Sequence, residues 1–506
     1  MILFIHPPVA KPSEPPAGIA RLSGMLCCLG FEHRLLDANS EGLLYLLRTP
    51  LASQIAKDTW TRRALKNIEP NIRAMRDPIL YRHRDQYKRA VRDIGRILAS
   101  VTPQGKAVSL VNYEDQCLSP LKSRDLITAA ERPEMNLFYP YFSQRLEELF
   151  SSQKITRVGL SLNYLSQALA SFAMLGFIRR RFPWASVILG GGLVTSWLSN
   201  PGWKDPFSGL VDRLVAGPGE YPLLSLLGHQ GTEMQAPRPE YSAFSREGYL
   251  SPGFILPYSA STGCYWNRCA FCPEKAEKNN YLSVPVKHVL EDLGALCQTT
   301  RPSLIHILDN AISPSLLGAL SKNSMGIPWY GFARVTPLLA DLDFCMELRK
   351  SGCAMLKLGI ESGDQHVLDA LQKGISLETA SVVLQNLRRA GIGTYVYLIF
   401  GTPAESEKSA EKTLAFTVKH SGCIDFLNLA IFNMSVCEVH PPDVETRSFS
   451  DADLSLYTDF VHPNGWDRRR VRLFLEKKFR RHHSVAGILS NEPPVFTSNH
   501  APFFVR

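Results

Sequence analysis

The sequence predicts an α/β protein in three parts: a doubly wound parallel sheet, a partial β/α barrel of six strands, and a mostly helical tail. Three observations predict it. Short β-rich runs alternate with helix-length stretches over residues 1–230, strand–helix repeats recur at barrel spacing over 253–433, and the strand pattern is lost over 434–506. At 506 residues the chain is also too long for one ordinary core.

In the first part Ile2–Ile5 reads as a strand, Pro7-Pro8 and Pro15-Pro16 bracket a loop, and Gly18–Leu29 has helical periodicity. Glu32–Leu36 begins a second strand. From about 51 to 149 the β pattern gives way to charged, helical sequence, an insertion after that strand. The alternation resumes with Val158–Leu162, a helix over Gln167–Arg181, then Ser186–Leu189 and Leu210–Val215. That is a Rossmann-like sheet. Residues 231–252, rich in Pro and polar side chains, read as a linker.

The barrel strands are Ile255–Ala260, Leu304–Leu308, Trp329–Ala333, Met355–Gly359, Thr394–Phe400 and Phe426–Phe432. Six β/α units make a partial, TIM-type (βα)6 barrel, since a full eight takes about 250 residues. In the tail, helix is expected over Trp466–Arg481.

Apolar residues make up 45% of the chain and charged ones 20%, the balance of a soluble globular protein. No run of apolar residues is long enough to span a membrane. The opening, MILFIHPP, has neither a basic leader nor a cleavage site, so a cytoplasmic location is expected. There the eleven cysteines stay reduced, and clustered ones favour metal or redox chemistry over disulfides. The net charge of +9 is concentrated: Thr61–Ser100 holds 11 Lys/Arg against 4 Asp/Glu, and Arg468–His483 holds 8 against 1. Such runs are solvated helix faces, or landing surfaces for an acidic substrate or a protein electron donor. Neither interleaves aromatics in a nucleic-acid pattern, so nucleic acid is not an expected partner.

Cys264, Cys269 and Cys272 lie directly after the first barrel strand, where barrel enzymes carry their catalytic loops. Three thiolates can hold three irons of a [4Fe-4S] cluster and leave the fourth open to a small molecule. A zinc site would need a fourth ligand nearby, and His288 is the nearest histidine downstream.

This loop and barrel resemble the radical S-adenosylmethionine (SAM) superfamily. Its usual spacing is three residues then two; here it is four then two. The resemblance extends to Phe271 before the third cysteine, to Leu308-Asp309-Asn310, to Arg334 closing the third strand, to Gly359-Ile-Glu361-Ser362-Gly363, and to Leu398-Ile-Phe-Gly401-Thr-Pro-Ala-Glu405. It implies that Phe271, Asp309, Arg334, Glu361, Ser362, Gly401 and Glu405 contact SAM, whose cleavage releases a 5′-deoxyadenosyl radical.

Pro7-Pro8, Glu14-Pro-Pro-Ala-Gly18 and Leu36-Asp-Ala-Asn39 resemble the opening of cobalamin-binding domains fused to radical SAM enzymes, as do Gly159-Leu-Ser161-Leu-Asn163, Leu189-Gly190-Gly191-Gly192 and Val215-Ala-Gly217-Pro-Gly219-Glu220. The resemblance implies cobalamin contacts from Pro8, Ser161, Asn163, Gly190, Gly191, Gly192, Gly217, Gly219 and Glu220. The Asp-x-His-x-x-Gly motif that supplies a histidine to cobalt elsewhere is absent, so no protein histidine on cobalt is expected. Cys27 and Cys28, adjacent on a helix, read as buried core residues, and Cys297, Cys345, Cys353, Cys423 and Cys437 show no ligand spacing. The closing segment, Thr497–Phe504, also resembles cobalamin–radical proteins, and His500 within it is either a surface residue or docked over the barrel mouth.

The resemblance implies methyl transfer to an unactivated carbon or phosphorus of a small-molecule or peptide substrate, with electrons from a flavodoxin- or ferredoxin-type donor. The alternatives are cobalamin-assisted cyclisation, ring rearrangement or oxidation. An RNA methylthiotransferase is disfavoured: it wants three spaced N-terminal cysteines, and the chain offers Cys27, Cys28 and Cys117 before residue 264.

Overall fold

Five buried residues, Ile2–His6, form the first strand, β1. It lies inside a five-stranded sheet with β2 (His33–Asp37) on one side and β5 (Arg157–Ser161), β6 (Ser186–Gly190) and β7 (Arg213–Val215) on the other, in the order β2-β1-β5-β6-β7. Every pairing is parallel. The order reverses between β1 and β5, which makes their carboxyl ends the topological switch point where open α/β sheets bind ligands. The apolar helix Leu165–Arg181 packs on this sheet, with Gln167 through Ile178 buried without a break.

The computed structural model describes residues 1–49, 58–228, 237–438, 444–447, 451–496 and 500–505. The start of the expected insertion, the start of the expected linker and residues 497–499 of the closing segment lie outside them. The chain divides into two compact units, Met1–Ile255 with two short stretches of the tail, and Leu256–Phe449 with most of the tail.

In the first unit the expected helical insertion is only partly helical. Helices Thr59–Lys66, Ile68–Met75 and Arg84–Val101 are followed by an antiparallel hairpin, β3 (Lys106–Val108) and β4 (Tyr113–Asp115), closed by a Lys106–Asp115 ion pair. Strands of three residues are too short to show a period of two. The stretch read as a linker packs back onto its own unit. Glu240 N donates to Ala20 O at 2.9 Å, Leu250 N to Pro12 O at 2.7 Å, and the Tyr249 hydroxyl to buried Asp37 at 2.8 Å. Cys27 and Cys28 are exposed, not buried, because they end their helix on its outer side.

In the second unit β8 (Ile255–Tyr258), β11 (Leu304–Ile307), β12 (Trp329–Ala333), β13 (Cys353–Glu361), β14 (Gly393–Phe400) and β15 (Phe426–Ile431) follow one another in sequential order. The helices between them make this a partial β/α barrel. A two-residue ladder joins β9 (Ser261–Thr262) to β10 (Leu282–Ser283). Short strands β16 (Met434–Ser435), β17 (Thr446–Arg447) and β18 (Tyr457–Phe460) precede the tail helices Arg468–Phe474 and His483–Leu489.

His500 is fully buried at the amino ends of the barrel strands, not over the mouth. Its ring lies 4.1 Å from Tyr395 and 4.3 Å from Phe426, both near the starts of their strands, and Nε2 is 2.6 Å from Glu492. Phe504 lies against Gly393, the first residue of β14. No helix among the described residues is long and apolar enough to cross a membrane.

Candidate active site at the cysteine loop

The loop that carries the three cysteines leaves the carboxyl end of β8 and is fastened at once. Asp309, just past β11, accepts Ala260 N–H at 2.7 Å and Ser261 N–H at 3.2 Å through one oxygen, and the Ser261 hydroxyl at 2.8 Å through the other. Its side chain is buried, and burial raises its carboxyl above the ordinary range against the pull of those bonds. The β9–β10 ladder then closes residues 263–281 into one loop.

A second element holds the far side. Between helices Gln365–Ala370 and Leu377–Ala390, two successive carbonyls take donors from the cysteine loop and a third takes Arg334. Leu371 O accepts Ala270 N–H at 2.9 Å, Gln372 O accepts the Trp266 indole N–H at 3.0 Å, and Lys373 O accepts the Arg334 guanidinium. Gly374 completes the segment at φ +67°, and a Cβ there would meet the Trp266 ring at 2.1 Å. Glycine is therefore required on two counts.

Within this frame Cys269 is buried, while Cys264 and Cys272 are partly exposed, and all three are free thiols. Cys272 N–H donates to Cys269 O at 3.3 Å, and burial pushes the Cys272 thiol up to about 11. Arg334 Nη1 points at Cys269 Sγ from 3.8 Å, and its guanidinium carbon lies 4.2 Å from the Trp266 ring centroid. Among the described residues no three His, Cys, Asp or Glu side chains converge on a single metal ion. Three free thiols on one loop are the donor set that a [4Fe-4S] cluster takes.

The other residues expected to meet SAM divide by where their polar atoms point. Glu361 sits at a bulge in β13 with φ +68°, its carboxylate 2.7 Å from Lys373 Nζ in a buried pair. Lys373 Nζ in turn lies 5.5 Å from the Phe271 ring, which packs on the Phe432–Met434–Val444 cluster. Lys373 thus joins Glu361 and Phe271 to Arg334, which itself reaches Cys269. Ser362, Asp309 and Glu405 turn their side chains into the protein. Ser362 Oγ sits 3.2 Å from Thr413 Oγ1 and accepts Asp364 N–H at 3.1 Å. Glu405 accepts Gly401 N–H and, at 2.9 Å, the Trp466 indole N–H, while its second oxygen is buried without a partner. Burial lifts its carboxyl to about 7. From the tail, His462 Nε2 meets Thr402 O at 2.8 Å, and its Nδ1 accepts the N–H groups of Asn464 and Trp466. Sequence reasoning missed Trp266, Lys373, His462 and Trp466; only Trp266, the bulky residue inside the lengthened loop, carried a usable signal.

At the switch point of the first unit, Asn163 organises the sheet edge. Its Nδ2 donates to Ser161 Oγ at 3.1 Å and its Oδ1 accepts Gly192 N–H at 3.0 Å. Gly191 has φ +110°, and a Cβ would sit 2.4 Å from Leu162 O, so the turn itself demands glycine. Gly190 has ordinary clearance, and Gly217 donates to Thr195 Oγ1 at 2.9 Å. Glu220, next to Gly219, pairs with Arg21 at 2.6 Å, and Pro8 follows the end of β1. His6, the last residue of β1, is buried with Nδ1 lacking a hydrogen-bond partner, and burial lowers its pKa. A cavity of about 430 Å³ lies between the β3–β4 hairpin and the start of the helix Leu165–Arg181.

Residues 258–417, which span the cysteine loop and the barrel through β14, match the family model of the Radical SAM superfamily. This segment is a radical SAM domain. Outside the barrel the likeness is one of fold. The radical SAM methyltransferase TsrM from Kitasatospora setae, solved with cobalamin and a [4Fe-4S] cluster bound, superposes with a TM-score of 0.53 at 14% identity, over 89% of this chain and 81% of that one. Among relatives, an uncharacterized methyltransferase, PH0819, of Pyrococcus horikoshii is 24% identical over 37% of this chain and 41% of its own length. The anaerobic magnesium-protoporphyrin IX monomethyl ester cyclase of Rubrivivax gelatinosus is 24% identical over 40% of this chain and 36% of its own. The chain thus spans about two fifths of the length of these relatives.

Proposed function

We propose that the chain is a cobalamin-dependent radical SAM enzyme that transfers a methyl group to an unactivated carbon or phosphorus centre. The observation that carries the reading is the cysteine loop itself. Three free thiols lie past the carboxyl end of the first barrel strand, in a segment that matches the superfamily, with an arginine N–H aimed at one sulfur. The donor set fits a [4Fe-4S] cluster held by Cys264, Cys269 and Cys272, with one iron left for SAM. The open carboxyl edge of the first sheet, at its switch point, fits a flat ligand such as cobalamin. When bound, the cluster supplies the electron that cleaves SAM, and cobalamin supplies a methyl carrier.

The chain's own residues do the positioning. Asp309 and the Leu371 and Gln372 carbonyls fix the cysteine loop from both sides. The buried Glu361–Lys373 pair sets a charged group beside Phe271, where the ribose and adenine of SAM would lie. Ser362 and Glu405 act through the turns they brace, leaving the backbone at 359–363 and 401–405 to face SAM. Asn163 and the glycines beside it shape the cobalamin edge, with Gly190 offering the room that Gly191 lacks. An electron donor with an acidic face suits the basic Arg468–His483 surface.

Cyclisation or oxidation without methyl transfer is the second reading, and the Rubrivivax cyclase among the relatives favours it. One anaerobic experiment decides between them. The reconstituted protein is supplied with cobalamin and methyl-labelled SAM, and label is followed into product. Labelled product with 5′-deoxyadenosine is expected. Cleavage of SAM with a product that never carries label overturns methyl transfer, and a full cluster in Cys269→Ala overturns the cluster.

A further inference from the structure

The loop is one residue longer between its first two cysteines than the usual spacing, and the structure shows what the longer loop accommodates. Asn267 turns at φ +43°, and Trp266 before it lies back across the loop. Its indole N–H is fixed on Gln372 O at 3.0 Å, its ring covers Gly374, and its face carries the Arg334 guanidinium at 4.2 Å. Arg268 lies 5.2 Å from the same ring. So held, Arg334 has one nitrogen on Lys373 O and another 3.8 Å from Cys269 Sγ.

We propose that Trp266 is a positioning residue that holds Arg334 against Cys269, and that the Arg334 N–H···S contact raises the reduction potential of the cluster the three thiolates carry. The proposal rests on the cluster reading above. One-electron reduction adds negative charge to the cluster and its sulfurs. A cation with an N–H aimed at a ligating sulfur stabilises that reduced form more than the oxidised one, and hydrogen bonds to sulfur are among the levers that set such potentials. Both groups are sheltered: Arg334 and Cys269 are 7% and 8% exposed, so water screens the contact weakly. The stacking matters because a guanidinium is planar. A flat ring on one side and the Lys373 carbonyl in its plane leave it a single orientation, whereas lysine would fill neither role.

The test is an anaerobic redox titration of the reconstituted cluster, with dithionite and mediators, followed by the electron paramagnetic resonance of the reduced form. Trp266→Ala and Arg334→Gln should each lower the midpoint, making the reduced-to-oxidised ratio at a fixed potential about tenfold smaller, which is about 59 mV for one electron. Trp266→Phe keeps the stacking face and should stay close to wild type. The double variant should shift no further than Arg334→Gln alone, because one residue acts through the other. Should alanine at 266 empty the loop of iron, Trp266→Leu fills the space over Gly374 without a π face and takes its place, with the same expectation. A loaded variant at 266 with an unchanged midpoint, or a double variant whose shifts add, overturns the proposal. A wild-type chain that takes up no iron and sulfide would instead overturn the functional reading beneath it.

Discussion

Asp309 allows the sharpest separation of two roles, because a residue that binds SAM and a residue that pins the cysteine loop respond differently to the same pair of substitutions. Asp309→Ala strips the acceptor from two buried backbone donors, Ala260 N–H and Ser261 N–H, and from the Ser261 hydroxyl. Each orphaned buried donor costs about 1–3 kcal/mol, so the two amides alone give about 2–6 kcal/mol. Asp309→Asn costs much less. Its single carbonyl oxygen can still accept both N–H groups, as one carboxylate oxygen does now, and its amide can donate to a Ser261 hydroxyl turned to accept. With two compact units, one global unfolding energy is the wrong readout. Hydrogen exchange of the 259–262 peptide reports the loop directly. At 1.4 kcal/mol per tenfold, Asp309→Ala should exchange faster by about 30-fold at the least, while Asp309→Asn stays within about tenfold of wild type. Wild-type exchange in Asp309→Ala, or equal acceleration in both variants, would refute the pinning role. A loss of SAM affinity in Asp309→Asn without any change in exchange would restore direct contact.

Glu405 makes a pH prediction: its carboxyl is raised to about 7, so folding favours the protonated form. That stabilisation is complete below about 4.5 and is lost as pH rises through about 7, in all about 3 kcal/mol. Exchange at the Gly401 amide, corrected for intrinsic rates, should therefore rise between pH 5 and 8 in wild type and stay flat in Glu405→Gln, and a rise of equal size in both would refute it. For the sheet edge, the cob(II) electron paramagnetic resonance signal should lack protein nitrogen splitting and be unchanged in His6→Gln, because His6 is buried in the end of β1. Splitting that disappears in the variant would make His6 a cobalt ligand.

What the sequence made legible was what repeats. The barrel strands from Leu304 to Phe432 stand out because each is a short apolar run between helix-length amphipathic stretches, and the structure places them within two residues of the expected bounds. The cysteines stood out because their chemistry is rare and their spacing narrow. The 371–374 segment was not legible, because it works through carbonyls: Leu371-Gln-Lys-Gly374 reads as an ordinary helix end, and nothing in its side chains says that its backbone oxygens will meet another loop and an arginine. The β3–β4 hairpin was hidden by brevity inside charged sequence. Asp309, Ser362 and Glu405 were found as residues, but a sequence shows that a carboxylate ends a strand and not which way it turns.

The tail shows how far that difference reaches. Read from composition, it is a helical extension whose last histidine sits on the surface or over the mouth. In the structure it grips the barrel at two opposite ends. Through His462, Asn464 and Trp466 it holds the 401–405 turn at the carboxyl end of β14, where the sequence motif predicts contact with SAM. Through His500 and Phe504 it fills the amino ends of β14 and β15. An open six-stranded barrel lacks the strands that would brace its last turn and seal its floor, and both tasks fall on residues more than 60 positions away from the start of β14. Most of the tail therefore folds with the barrel unit. Glu405 is the motif side chain that ties the turn to Trp466, and that is why its ionisation reports on the turn.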